Sequence, residues 1–369
     1  MAMFGLGVVV APVMGPTIGA LLTEYYSWRM VFFVNLPVAA MALLLMSGEL
    51  PEDRPQRVRV DWTGLILLTL AIGALQFMLD QGQQRDWFSS RLIQSAAAIS
   101  ATGFVFFLIH GLSMREPIVD LRLFADRNFA MGNLVIAGFA VAMFGGIAIL
   151  PLFVQGLLGY PVLEAGNLFI PRGLAAGFSM VITGAVLVPR VDARLLAAGG
   201  LLLTGLGNFM LGRLNLDASF WQLAWPGVVQ ALGMGLVFVP MSTLAFDRIG
   251  PDRQNEASGL YGVTRQIGSS VGIAIVAVTV VRGLDLFHVD LIAHITPYSM
   301  EARRYLAPLG LTPESPRGAA VLAAEVSRQA ALMSYVRVFT MLGWLSLALM
   351  PFLLVMTKPV HQRRGGMAH

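Results

Sequence analysis

The sequence predicts an all-α, polytopic membrane protein with about ten transmembrane helices, and its composition and the length of its apolar stretches are the reasons. Of the 369 residues, 56% are hydrophobic and 12% are charged, about half the charged fraction of a soluble domain, and the mean hydropathy is +0.72. The apolar stretches run for roughly 18–25 residues, whereas a barrel strand needs about ten. Because lipid offers backbone groups no hydrogen-bond partner, stretches of this length are expected to be helices.

The arginine distribution predicts the topology. Ten spans place both termini on one side, and arginine is denser in the loops after the second, fourth, sixth and eighth spans than in the opposite short loops. Those loops and both termini are therefore expected in the cytoplasm. The same loops account for the pI of about 9.7, so no nucleic-acid partner is predicted. The predicted spans are 2–22, 30–48, 62–80, 92–112, 130–155, 164–188, 195–214, 224–246, 260–282 and 332–356.

The first span carries a small residue at every fourth position. Gly7, Ala11, Gly15 and Gly19 share one helix face, which a neighbouring helix can approach closely. Pro16 removes a backbone donor and favours a bend. A bent helix with such a face is typical of a protein that rocks between two states, and less typical of a simple anchor.

The long loop 283–331 is expected on the outer side. Segments 284–295, 300–306 and 319–333 read as short amphipathic helices separated by prolines. They form either a subdomain that caps the outer surface or a docking surface for an extracytoplasmic partner.

Several short motifs follow one another in a recognisable order. The string GPTIGA at 15–20 matches G-P-x-x-G-G except at Ala20, and SWRMVFFVNLP at 27–37 matches much of W-R-W-x-F-x-I-N-x-P. Four further stretches keep the same order and spacing: 60–90, PIVDLRLFADRNFAMGN at 117–133, PRG at 171–173 and ASGLYGVTRQIGSSVGIAI at 257–275. Together they resemble the EmrB/QacA-type fourteen-helix drug:proton antiporters of the major facilitator superfamily. The loop 189–194 departs from that family's G-x-x-x-D-R-x-G-R turn.

The resemblance implies a domain organisation. Residues 1–48 would be two helices of an amino-terminal bundle, 49–128 a linker helix pair, and 129–369 a carboxy-terminal six-helix bundle with the external loop 283–331. The resemblance also implies export of hydrophobic or cationic drugs by proton antiport across the bacterial inner (plasma) membrane, with no cofactor and no enzyme activity. A periplasmic adaptor and an outer-membrane channel are possible partners, because family members with a long loop before the last helix often work with them.

The resemblance also implies an absence. If the first span matches the family's fifth helix, four helices that carry the family's coupling residues have no counterpart in these 369 residues. We therefore expect that this polypeptide alone does not perform proton-coupled efflux. A non-transporting remnant or a membrane scaffold is the alternative function.

Three charged residues are candidates for coupling or for lining a cavity, because charge inside a membrane is costly and usually functional. Asp80 is the nearest candidate for a proton carrier, or else a solvated helix end. Arg172 either extends to the outer interface or lines a cavity, where it pairs with a substrate anion or with a carboxylate on the family helices that have no counterpart in this sequence. Arg265 either anchors a helix end or makes a gating contact. No acidic residue falls at mid-span.

Uncharged polar residues are the second group of candidates. Each forms either a hydrogen bond between helices or part of a weakly polar cavity. With apolar walls rich in Met and Phe, such a cavity suits bulky hydrophobic or cationic compounds. The residues are Asn133, Gln155, Asn167, Gln230 and Gln266.

Two rival functions, a hydrolase and a channel, find little support in the sequence. Gly268-Ser269-Ser270-Val271-Gly272 matches G-x-S-x-G, but a hydrolase elbow needs a strand before the turn, and this copy falls in a predicted helix. Gly268 and Gly272 are therefore predicted to form a helix-packing face. A channel would need a ring of charges or a filter-like repeat, which the sequence does not contain. The absence of cysteine excludes thiolate metal sites, and no metal site is predicted.

Overall fold

The computed structural model describes residues 15–357 except residue 16, segments 47–60 and 115–116, residue 118 and residues 297–298. All regular structure in these residues is helical, which confirms the predicted all-α class. Residues 17–25 form α1. The later helices are α2 (Met30–Leu45), α3 (Trp62–Gln81), α4 (Arg91–Ser113), α5 (Arg127–Leu157), α6 (Val162–Leu187), α7 (Ala193–Leu211), α8 (Phe220–Phe246), α9 (Gln254–His294), α10 (Met300–Leu306) and α11 (Pro316–Val355).

Eight of the described helices are long and apolar enough to cross a membrane. They are α3 to α9 and α11, and they correspond to the last eight predicted spans. The second predicted span corresponds to the shorter helix α2. The first corresponds to α1, and the part of it before residue 15 lies outside the described residues. The architecture agrees with a membrane protein of about ten helices.

The long loop before the last helix is organised differently from the prediction. The separate helix predicted over 284–295 is wrong, because α9 continues without a break to His294. Segment 319–333 is likewise part of α11. Neither stretch contains a proline, so nothing ends these helices at the edge of the apolar span. At 1.5 Å per residue, α9 is roughly 60 Å long, about twice the thickness of the hydrocarbon core.

Side-chain caps fix several helix starts. The carboxylate of Asp126 accepts a hydrogen bond from the backbone N–H of Phe129 at 2.9 Å and begins α5. Asp61 caps α3 in the same way through Gly64, at 2.8 Å. The hydroxyl of Ser315 accepts from Gly318 at 3.1 Å and begins α11. These positions follow the usual preference for Asp and Ser at the N-cap.

Helices α3 and α4 form an antiparallel hairpin that rests against α9. The Oγ of Ser100 donates to the carbonyl of Ala71 at 3.0 Å. A β-carbon added at Gly103 would lie 3.1 Å from the Cα of Ala71, so the two helices approach closely at this point.

Helices α5 to α9 and α11 pack together as a bundle, and small residues bring their backbones into contact. A β-carbon added at Gly272 would lie 2.5 Å from the carbonyl oxygen of Val141 on α5. One added at Gly268 would lie against the carbonyl oxygen of Ala137. The predicted packing role of these two glycines is therefore confirmed. It also removes the basis for a hydrolase elbow, because the whole segment is helical.

Two apolar clusters fill this bundle. The Phe129 cluster contains residues from the amino-terminal half of α5 and the carboxy-terminal half of α8, such as Ile136 and Met241. The Phe153 cluster contains residues from the opposite end of the bundle, such as Phe169 and Phe339. The region between the clusters contains the candidate site.

Candidate functional site

A layer of polar and small residues separates the two apolar clusters. On α6, Phe169 belongs to the Phe153 cluster and Ala176 to the Phe129 cluster, and Arg172 lies between them. The other helices of the bundle repeat this pattern at the same level. The polar layer consists of Arg172 on α6, Asn208 on α7, Gln230 on α8, Ser269 and Ser270 on α9 and Ser346 on α11.

Arg172 is the one cationic member of the polar layer. Its side chain is only 3% exposed, and its Nε has no hydrogen-bond partner among the described residues. The aliphatic stem lies against α8, where a β-carbon at Gly227 would be 3.7 Å from the Arg172 Cδ. Arg172 lies ten residues after the start of α6, roughly 15 Å along the helix. This burial is not the arrangement of a side chain that extends to an aqueous interface.

Two of the three serines of the polar layer, Ser270 and Ser346, are satisfied by their own helices. The Oγ of Ser346 donates to the carbonyl of Leu342 at 2.9 Å, and that of Ser270 donates to Gln266 at 3.2 Å. These bonds leave the serines little capacity for a ligand.

Asn208 keeps an unused acceptor. It is 1% exposed, and its amide nitrogen donates to the carbonyl of Thr204 at 3.0 Å. Its Oδ1 has no partner in the described part of the chain and faces Gly146 on α5, 3.8 Å from the position of a β-carbon there. Gln230 is 5% exposed, and its Cγ lies against Gly207 of α7. Buried unpaired polar atoms are costly, which makes this layer a candidate binding site.

Asn133 and Arg265 lie at a second level, nearer the Phe129 end of the bundle. Where α5 and α9 touch, the contacting residues differ by 131 in number, as Ala137 and Gly268 do, and Val141 and Gly272. The same difference places Asn133 level with Thr264, next to Arg265. The Asn133 Nδ2 donates to the Phe129 carbonyl at 2.9 Å, while its buried Oδ1 has no partner among the described atoms. The Arg265 guanidinium carbon lies 5.9 Å from the ring centre of Phe238, within cation–π range.

Gln155 lines a different cavity, between α1 and the ends of α5 and α6. Its volume is about 270 Å³, and Gly19, Pro151 and Phe169 also line it. The carboxy-terminal end of α5 is a π-helical turn, Leu152–Leu157, which carries Gln155. Such turns often occur at functional sites.

α1 contacts the bundle through residues that the sequence pattern did not select. The hydroxyl of Thr17 donates to the carbonyl of Gly166 on α6 at 2.8 Å, and both Thr17 and Ala20 are buried. Gly15 and Gly19 have open space where a β-carbon would project. Gly7, Ala11 and Pro16 lie outside the described residues.

The structure does not bring three other candidates into the polar layer. Asp80 is exposed at the end of α3 and accepts a hydrogen bond from the Gln76 amide at 2.9 Å. Gln266 is exposed on α9, and Asn167 is half-buried one turn from the start of α6. Asp80 therefore has the surroundings of a solvated helix end.

A network at one end of the bundle was not predicted. Asp120 pairs with Arg253, and Asp126 lies 4.0 Å from Arg248. The Asn128 side chain accepts from the Thr357 backbone N–H at 2.8 Å and donates to its carbonyl at 3.2 Å. The repeated Asp in DLRLFAD was the available signal, but the partner arginines lie more than a hundred residues away in sequence.

Sequence reasoning also missed buried polar groups inside the spans. Asn208, Thr183 and Tyr261 each keep a side-chain oxygen with no partner among the described residues. A polar residue in an apolar span was the available signal for Asn208. No group of three or more His, Cys, Asp or Glu side chains that could hold a metal ion occurs in the described ranges.

The fold defines a polytopic α-helical membrane protein with a layer of buried polar residues between its helices. The model of the Major Facilitator Superfamily matches residues 1–273. The chain belongs to this superfamily, and it is a membrane transporter and not an enzyme. This identification confirms the resemblance found in the sequence.

Named relatives cover nearly the whole chain. Multidrug export protein EmrB of Escherichia coli (strain K12) is 30% identical over an alignment of 372 residues that covers 99% of this chain and 72% of the relative. Fatty acid resistance protein FarB of Neisseria gonorrhoeae is 29% identical over an alignment of 372 residues that covers 99% of this chain and 73% of the relative. A crystal structure of a bacterial homolog to the human lysosomal transporter Spinster aligns with a TM-score of 0.47 and 16% identity, and covers 80% of this chain and 65% of that one.

Proposed function

We propose that this protein exports hydrophobic compounds, including drugs, across the bacterial inner membrane in exchange for protons. The observation that carries the proposal is the buried polar layer inside an apolar bundle, in a chain 30% identical to a multidrug export protein. A substrate with an apolar body and one polar group would match the layer and the clusters on both sides of it.

Alternating access would come from one helix group rocking against another around the polar layer. For this motion the chain is divided into three groups of helices, which are residues 1–48, 49–128 and 129–369. The hydrogen bond from Thr17 to Gly166 supports this division, because it joins the first group to the last across their boundary. The glycine contacts at Gly268 and Gly272 hold the last group together as a unit.

The polar layer serves substrate binding in this proposal and does not carry the proton. None of the bundle helices has an acidic residue where it passes between the two apolar clusters. Met180 and Met234 are buried in the Phe129 cluster, beside the layer. Their flexible side chains can adapt to substrates of different shape.

The parts of α9 and α11 that extend beyond the membrane are the proposed docking surface for a periplasmic adaptor. The adaptor would connect this protein to an outer-membrane channel. α10 is tied to α11 by a hydrogen bond from the Tyr305 hydroxyl to Glu325 at 3.2 Å. Leu286 and Val289 on the α9 extension are exposed, so this side of the extension has apolar surface available for a partner. The proposal places this end outside and both termini in the cytoplasm.

An efflux assay tests the function. The 369-residue chain is expressed in a host without its main drug exporters, and ethidium accumulation is measured with and without a protonophore. Lower accumulation that the protonophore restores would support the proposal. It would also contradict the expectation that this polypeptide alone cannot couple export to protons.

The control is Gln230→Leu, which removes a polar group from the layer and keeps a similar volume. It should raise ethidium accumulation towards that of the empty vector. An inserted wild-type chain that leaves accumulation unchanged would agree with the expectation that this polypeptide alone does not perform proton-coupled efflux, and it would favour the scaffold alternative.

A further inference from the structure

The turn between α7 and α8 contains a pocket of about 550 Å³. Its lining residues lie between Met210 and Pro226 and are separate from the polar layer. α7 ends at Leu211 and α8 begins at Phe220, and both helices are long and apolar enough to cross a membrane. The pocket therefore lies where two spans leave the membrane, at the level of the lipid head groups. In the proposed orientation this is the outer leaflet.

Two amide side chains in this pocket have their orientation fixed by the backbone. The Asn215 Oδ1 accepts a hydrogen bond from the N–H of Asp217 at 3.2 Å, and the Gln222 Oε1 accepts from the N–H of Ser219 at 2.9 Å. A backbone N–H can only donate, so the amide atom that faces it must be the oxygen. Each side chain therefore keeps its NH₂ group free to donate to a ligand.

Arg213 is the third donor in the pocket lining. It is exposed, and it takes part in none of the ion pairs of the described residues. Asp217, an acidic residue of the same loop, lies outside the pocket lining. A guanidinium has five N–H donors and no acceptor. Together with the two amides, Arg213 offers one positive charge and several donors, which complement a singly charged oxyanion.

The apolar part of the pocket is formed mainly by two tryptophans. Trp221 is 67% exposed and Trp225 is 56% exposed. They are four residues apart, so they share one face of α8. Met210 on α7 adds further apolar surface. Tryptophan is enriched where membrane meets water, because its ring contacts apolar chains while its N–H reaches polar head groups.

We propose that the pocket between α7 and α8 binds the phosphodiester group of a membrane phospholipid such as phosphatidylglycerol, with its acyl chains beside Trp221 and Trp225. A phosphodiester carries one negative charge and accepts hydrogen bonds through two non-bridging oxygens. It therefore matches Arg213 and the two amide NH₂ groups. The bound lipid would tie the outer ends of α7 and α8 to the membrane, whether or not the chain transports drugs.

Three probes separate the head group from the chains. The full chain is purified in detergent, and its thermal unfolding is measured with increasing dioleoylphosphatidylglycerol, dioleoylglycerol or inorganic phosphate. The rise of the midpoint with concentration gives an apparent affinity. Dioleoylphosphatidylglycerol should bind about tenfold more tightly than dioleoylglycerol, the factor expected for a hydrogen bond to a charged group. Inorganic phosphate, which has no chains to contact the tryptophans, should bind more weakly than the phospholipid.

Two variants locate the effect in the pocket. Arg213→Gln removes the charge and should weaken binding of dioleoylphosphatidylglycerol about tenfold without changing that of dioleoylglycerol. Gln222→Glu keeps an oxygen for the Ser219 N–H, so the cap of α8 is preserved, but it replaces the free NH₂ group by a carboxylate oxygen. It should weaken phospholipid binding at least as much.

The matched control is Arg85→Gln, which changes an exposed arginine between α3 and α4 and should leave every affinity unchanged. Equal binding of dioleoylphosphatidylglycerol and dioleoylglycerol to the wild-type chain would overturn the proposal, as would an unchanged phospholipid affinity in Arg213→Gln. Inorganic phosphate that binds as tightly as the phospholipid would show that the pocket takes free phosphate, and the lipid assignment would be wrong.

Discussion

Individual polar residues inside the bundle differ in whether their own helix satisfies them. Ser346 and Ser270 donate to carbonyls four residues earlier, so each has a partner wherever the helix is placed. Arg172 and Asn208 keep an unpaired atom after their local bonds are formed. Only the second kind is available to a ligand, and the sequence does not distinguish the two kinds. Asn208 was missed for this reason, while Arg172 and Gln230 were selected.

Individual glycines also differ from one another, in whether another helix packs against them. Gly272 and Gly259 both lie on α9, but a β-carbon would meet the Val141 backbone at Gly272 and nothing within 4 Å at Gly259. Both positions look alike in the sequence. Their difference gives a direct test of the packing between α5 and α9.

The first prediction compares these two glycines. Gly272→Leu should destabilise the bundle by at least the roughly 1–3 kcal/mol typical of overpacking, because the atoms it meets are backbone and cannot rotate away. Thermal unfolding of purified protein in one detergent measures the effect. Gly259→Leu, the same change at an open position, should leave the midpoint nearly unaltered. Equal midpoints for the two variants would show that α5 and α9 do not approach at Gly272.

At the scale of elements, helix length exceeds what hydropathy alone indicates. The apolar part of α9 ends near residue 282, but the helix continues to His294 because no proline intervenes before Pro297. The same holds for α11, which starts at Pro316 with Ser315 as its cap. The result is a pair of helical extensions joined through α10, and not a chain of three short helices.

The second prediction concerns the sidedness of α9, and the absence of cysteine in the chain makes it simple to test. Val289→Cys lies on the α9 extension, where the native side chain is 70% exposed, and Glu256→Cys lies near the other end of the same helix. An impermeant maleimide added to intact spheroplasts should label Val289→Cys only. After the membrane is permeabilised, both should react. Labelling of Glu256→Cys in intact spheroplasts would reverse the proposed orientation.

At the scale of the whole molecule, the described part of α1 meets the six-helix bundle at α6, through the hydrogen bond from Thr17 to Gly166. Thr17 and Ala20 face α6, and the cavity that contains Gln155 lies beside them. Gly15 and Gly19 contribute open space and no packing among the described residues. A boundary of this kind can open at little cost, which suits a rocking motion.

The third prediction follows from the Thr17 bond. Thr17→Val keeps the shape of the side chain and removes the hydroxyl that donates to Gly166. Loss of this hydrogen bond should cost about 1 kcal/mol, which shifts the equilibrium between joined and separated α1 and α6 roughly fivefold. Spin labels at Glu24 and Val162 should report a larger population with α1 and α6 separated. Thr69→Val, an exposed position on α3, is the matched control. An unchanged distance distribution in Thr17→Val would show that this bond does not hold the two groups together.

The sequence by itself determined the class of protein and the order of its helices. Composition and the length of the apolar stretches required a helical membrane protein, because lipid satisfies no backbone group. The motifs at 15–37 and 117–133 identified the superfamily, since their order along the chain does not depend on folding. Gly268 and Gly272 were assigned correctly to packing, because a four-residue spacing places both on one helix face.

Only the tertiary structure decided which polar residues form a site. Arg172 lies against Gly227 and Asn208 faces Gly146, both on other helices, and Arg253, the partner of Asp120, is 133 residues away in sequence. No periodicity within one helix specifies the neighbour that it faces. Arg172 was predicted either to reach water or to line a cavity, and the packing of α6 against Gly227 of α8 placed it in the bundle interior. The sequence specifies which groups enter the membrane, and the packing of the helices specifies which of them remain without a partner and can bind a ligand.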